Sequence, residues 1–202
     1  MRTRPVSAMA LALGIHAAIF AGALPLRAAE LASPESALAS SFPGARVERR
    51  SMALTDAEIA RAKELAGEGG APASRLAIWH EATREGSLIG RGWLDTHVVR
   101  TLPETILVSI DSAGRVTRVD VLTFREPREY LPPVKWLAQF TGKPLSADLA
   151  VKRDIAALGG ATLSGRAITR AVRRCLALDA ILRQRDAAPG AARSSAPAAA
   201  QP

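Results

Sequence analysis

The residues best able to do chemistry lie in the run Gly159-Gly160-Ala161-Thr162-Leu163-Ser164. Two adjacent glycines let a backbone pass close to a ligand. The pattern that follows is helical, and the first turn of a helix offers unpaired N–H groups that suit an anion. Thr162 and Ser164 add hydroxyls able to bond phosphate oxygens. Arg166 and Arg170 fall one turn apart on one helix face and bring positive charge. A phosphate fits such a site by construction. Spacing alone also allows a plainer reading, in which the glycines form a loop, Ser164 is an ordinary N-cap and the arginines face water.

Other chemistries have little to work with. Cys175 is the one cysteine, so an internal disulfide and a Cys-x-x-Cys-His haem site are both excluded. On a helical pattern it reads as a small packed hydrophobe. His80 and His97 are the histidines that follow residue 28, and no His/Cys cluster has metal-ligand spacing. No nucleophile or acid–base pair suggests a substrate of the protein's own.

The elements that must position the run can be read in outline. Thr55 and Glu58 form a capping box that opens a helix with Ile59, Ala62, Leu65 and Ala66 on its apolar stripe, closed by Gly67 to Pro72. Residues 30–50 are mixed in character, with Pro34, Pro43 and Gly44 as breakers. From about residue 75 the period shortens. Residues 76–81 and 88–94 read as one hairpin, and 105–110 with 115–124 as a second, turned by Asp111 to Gly114. Trp79 and Trp93 fall on strands and belong to a core. Four strands without intervening helices predict an antiparallel sheet and an α+β fold with packed helices. Residues 134–140 make a short helix and 145–151 another short element. A long amphipathic C-terminal helix runs from about 164 to 185, with Ile168, Val172, Cys175, Leu176 and Ile181 on its stripe. From 186 onward, Ala, Pro, Ser and Gly predict a disordered tail.

Gly160-Ala161-Thr162 followed by Ser164 and an amphipathic helix resembles the FMN-binding domain family. That family includes the periplasmic C subunit of the sodium-translocating NADH:quinone reductase and the G subunit of the Rnf complex. Its pattern is Asp-x-x-Ser/Thr-Gly-Ala-Thr-x-Thr/Ser. The segment Gln139 to Lys143 is similar to its Phe-x-Gly-Lys segment, and the strand ending at Phe124 with Glu126 beyond is similar to its strand-then-Glu loop. The stretch 90–99 fits an early strand, so the likeness covers about 75–185. The resemblance implies FMN as cofactor, with Gly159, Gly160, Ala161, Thr162, Leu163, Ser164, Glu126 and Tyr130 around it. In the family a flavin transferase often links FMN to the threonine as a phosphoester. Here the Asp falls on Ala156 and the Ser/Thr on Gly159, so covalent FMN at Thr162 and non-covalent FMN both stay open. Tyr130 and Trp136 are candidates to stack on the flavin ring, with core packing the alternative for Trp136. Glu126 either bonds the ring edge or caps the turn that follows it.

The chain has 202 residues and a formal charge of +8. The basic residues are scattered among acids without aromatic interleaving, which argues against nucleic acid. Arg2 and Arg4 precede an uncharged run to Leu26 and then small residues, the layout of a signal peptide cut after Ala28 or Ala23. An uncleaved N-terminal anchor is the alternative. Cleavage after Ala28 leaves about +5. The expected organisation is a leader over 1–28, an N-terminal segment with one helix over 29–74, an FMN-binding domain over 75–185, and a tail. The expected function is a periplasmic electron-carrying flavoprotein, served by a membrane redox complex or cytochrome. The rivals are a flavin-free interaction or assembly module, an anion-binding module, and a surface that meets anionic lipid through Arg166, Arg170, Arg173 and Arg174.

Overall fold

A computed structural model describes residues 29–187, so the expected leader and the expected tail beyond 187 lie outside the described residues. The element order is β1 (Ala29–Glu30), α1 (Pro34–Ser41), β2 (Arg46–Ala53), α2 (Asp56–Ala66), β3 (Leu76–Arg84), β4 (Ser87–Val98), β5 (Pro103–Asp111), β6 (Val116–Phe124), α3 (Val134–Leu137) and α4 (Thr162–Ala187). The strands form one antiparallel sheet in the order β1-β6-β5-β4-β3-β2. The α+β class, both hairpins and the long C-terminal helix agree with the sequence reading.

Local chemistry explains the turns. Glu85 and Gly86 both have positive φ, the signature of a tight two-residue hairpin. Asp111 accepts a hydrogen bond from the Arg115 N–H at 2.8 Å across the second hairpin turn. α2 starts as predicted, because Thr55 and Glu58 cap each other reciprocally.

Four expectations are corrected. The segment 29–74 holds two helices and two strands, and β2 pairs along its whole length with β3, so the sheet continues across residue 75. Pro34 does not break structure there. It occupies the first turn of α1, where its missing N–H costs nothing, behind Ser33 as N-cap. Residues 145–151 form turns and isolated bridges instead of a regular element. The last helix spans Thr162–Ala187, so Ser164 lies inside its first turn and Asp186 belongs to the helix instead of the tail.

The sheet is covered on both faces. α1 packs Ala37, Leu38 and Phe42 onto Ala82, Leu107 and Leu122. The other face carries the main core, where Trp79, Trp93, Ile106, Val108 and Ile110 meet Ile168, Val172, Cys175 and Leu176 of α4. The two tryptophans stack with centroids 5.9 Å apart. Polar clamps fix α4 against β4. Arg91, 3% exposed, bonds Asp179 at 3.3 Å and Asp186 at 2.5 Å. Asp95 takes two hydrogen bonds from Arg174, at 2.7 and 2.9 Å. Arg185 near the helix end grips Glu58 at the start of α2. That guanidinium, reinforced by the Thr55 capping bonds, holds the Glu58 carboxyl down at about 2 despite partial burial.

Candidate functional site

The clamped helix presents Thr162 at its free N-terminal end. The approach turn is held from below. Trp136 of α3 donates its indole N–H to the Ala156 carbonyl at 2.9 Å, and Gln139 accepts from the Ala156 N–H at 2.8 Å. Gly160 has φ +73, a conformation that glycine adopts freely. The Ala161 N–H reaches the Leu158 carbonyl at 3.3 Å, and α4 then begins. A Cβ at Gly165 would lie 3.2 Å from the Trp136 ring, so this glycine lets the first turn of the helix rest on the indole. Trp136 therefore braces the site from the core. It is 6% exposed and meets Phe140 edge-on at 5.6 Å.

Thr162 is exposed, and its hydroxyl has one long contact, 3.5 Å to the Leu158 carbonyl. The N–H groups of Thr162, Leu163 and Ser164 have no acceptor among the described residues. A Cβ at Gly159 or Gly160 would meet nothing within 4 Å, so both glycines border open space. An exposed hydroxyl, three unpaired donors and an unobstructed glycine pair can receive a phosphate. Ala161 and Ser164 are buried at the base of the turn. Ser164 is thus placed to pack, and it adds no hydroxyl to the exposed surface.

Glu126 and Tyr130, expected around a flavin ring, have partners of their own. Glu126 is 8% exposed, and one carboxylate oxygen accepts from the N–H groups of Thr101 and Leu102, both at 3.2 Å. It caps the turn between β4 and β5. Tyr130 is half-buried, and the Arg100 guanidinium sits 4.1 Å from its ring centre. The exposed apolar side chains nearest in sequence to the braced turn are Leu163, beside Thr162, and Val134, two residues before Trp136.

A cleft of about 590 Å3 opens along α4, walled by Arg166, Thr169, Arg170 and Arg173 of the helix and by Leu149 and Arg153 opposite. Arg173 donates to the carbonyls of Ala66, Ser146 and Leu149, and its burial lowers its pKa. Arg174 is committed to Asp95 and to the Gly69 carbonyl. The lipid surface suggested by the arginine series thus loses Arg173 and Arg174 to internal bonds. Arg166 and Arg170 are exposed and have no partner among the described residues.

Sequence reasoning missed the brace made by Trp136 and Gln139, and it missed the wall supplied by residues 147–153. It also missed a polar cluster at the end of β4. His97 bonds Asp95 at 2.9 Å and Glu104 at 3.2 Å. Burial opposes charge on His97, but these two carboxylates outweigh it and raise its pKa. Among the described residues no group of three or more His, Cys, Asp or Glu could hold a metal, and no helix is long and apolar enough to cross a membrane.

Residues 102–177 match the family described as FMN-binding domain. No curated protein matches the chain.

Proposed function

We propose that this chain, whose residues 102–177 are an FMN-binding domain with FMN as cofactor, is an exported flavoprotein that relays electrons to or from a membrane redox complex or a cytochrome. The observation that carries the reading is Thr162, exposed beside three unpaired N–H groups at the start of a helix that is clamped along the sheet. When bound, FMN supplies the one- and two-electron chemistry, and the protein supplies binding, orientation and tuning. The chain's own residues have defined tasks. Gly159 and Gly160 leave room for the phosphate, the first-turn N–H groups and the Thr162 hydroxyl receive it, and Trp136 with Gln139 holds the turn that aims them. Leu163 and Val134 offer apolar surface to the flavin ring.

Export is supported by the basic, then apolar, then small-residue order over 1–28, and the proposed location is the periplasm. A flavin transferase is the proposed partner should FMN be esterified to the Thr162 hydroxyl. A second reading, a flavin-free interaction module, draws on the internal engagement of Trp136 and the cation seated on Tyr130.

The relay is tested by loading the chain with FMN, reducing it anaerobically, and mixing it with an oxidised c-type cytochrome. Return of the oxidised flavin spectrum as the cytochrome is reduced supports the relay. Flavin that stays reduced refutes it.

A further inference from the structure

The cleft along α4 has a volume of about 590 Å3, and its arginines are unequal. Arg173 is spent on three backbone carbonyls, with Glu68 nearby to offset its charge. Arg153 leans on the Ala147 carbonyl and on Asp148. Arg166 and Arg170 are the two lining cations that have no hydrogen bond or ion pair among the described residues. At 3.6 residues per turn, Thr162, Arg166, Thr169, Arg170 and Arg173 fall within about 100° of helix arc. Thr162 therefore stands at the open end of the stripe that walls the cleft, one turn from Arg166. Leu163, one residue round the helix from Thr162, is 47% exposed. A ligand with a doubly charged end and a flat apolar ring matches the two arginines and Leu163 together.

We propose that Arg166 and Arg170, which line this cleft, join the first-turn donors in holding the flavin's phosphate as a charge-assisted pair, so that FMN is retained without an ester to Thr162. The proposal rests on the flavin reading above. Two planar guanidiniums one turn apart suit a phosphate dianion, since each can donate a fork of hydrogen bonds to its oxygens. A ligand with no phosphate leaves both arginines without a partner.

The test is fluorescence titration of the full chain with FMN and with riboflavin, which lacks the phosphate. Wild-type protein is expected to bind FMN at least about tenfold more tightly than riboflavin. Inorganic phosphate is expected to displace FMN, and rising salt to weaken it. The double variant Arg166→Gln, Arg170→Gln is expected to lose most of the preference for FMN over riboflavin, with riboflavin affinity and circular dichroism unchanged. A double variant that keeps the full FMN preference overturns the assignment, as does a wild-type chain that binds both flavins alike. Loss of riboflavin affinity along with FMN affinity also overturns it, because the arginines would then shape the site without reading the phosphate. A chain that binds neither flavin overturns the flavin reading itself.

Discussion

At the scale of single residues, the candidate site depends on Trp136 more than on any hydroxyl. Its indole N–H holds the Ala156 carbonyl, and its ring supports Gly165. Trp136→Phe keeps most of the packing and removes the hydrogen bond. The expected cost is about 1–2 kcal/mol in urea unfolding, with FMN affinity reduced because the turn before Thr162 loses its anchor. Unchanged stability and affinity would show that the turn holds itself. The Gly-Gly-Ala-Thr run was legible because glycine pairs and hydroxyls before an amphipathic stripe carry local meaning. Trp136 was legible as an aromatic near the site, but its role was not. The bond to Ala156 spans 20 residues and depends on how α3 folds back beneath α4. The sequence lets Glu126 bond the ring edge or cap the turn that follows it, and what it could not show is that one carboxylate oxygen accepts from the backbone amides of Thr101 and Leu102, on the turn between β4 and β5.

At the scale of elements, α4 is positioned by charge as much as by its apolar stripe. Arg on β4 meets Asp on α4, and Asp on β4 meets Arg on α4. This reciprocal arrangement opposes sliding of the helix, since a shift would leave buried charges unpaired. Asp179→Ala strands Arg91 at 3% exposure with one remaining partner, the exposed Asp186. The expected loss is about 2 kcal/mol in unfolding free energy, because hydrogen bonds to a buried guanidinium are removed while Asp186 still offsets its charge. A loss below about 0.5 kcal/mol, the range of ordinary surface substitutions, would contradict the clamp. The β3–β4 and β5–β6 hairpins and α2 were legible from alternation, turn residues and a capping box. α1 and β2 were not. Pro34 suggests a break unless Ser33 is recognised as its N-cap, and β2 (RVERRSMA) hides a strand behind charged residues that its edge position tolerates.

At the scale of the whole molecule, the polar cluster that joins β4, β5 and α4 ties stability to pH. Burial raises the Glu104 pKa above 4.5, and one of its oxygens has no hydrogen-bond partner. Burial also opposes ionisation of Asp95, but bonds from His97 and Arg174 prevail and hold its pKa below 3.8. His97 lies above 6.5. The contribution of His97 is complete below pH 6.5 and lost as pH rises through its folded pKa, and that of Glu104 declines as pH rises from 4.5. Asp95 acts oppositely, losing its contribution as pH falls below 3.8. Burial lowers the His80 pKa, which acts in the opposite sense, so the test is a difference: the melting-temperature advantage of the wild type over His97→Gln is expected to shrink from about pH 5 to about pH 8. A difference that does not change with pH would contradict the coupling. None of this was legible in the sequence, because Asp95 and His97 look like surface residues until β4 places them on the α4 face. The central claim, that the chain holds FMN at the N-terminal end of α4, is tested most directly by the absorbance spectrum of the purified, desalted chain after incubation with FMN, taken before and after denaturation. The account predicts a flavin spectrum near one flavin per chain in the native protein, and a protein that stays colourless would contradict it.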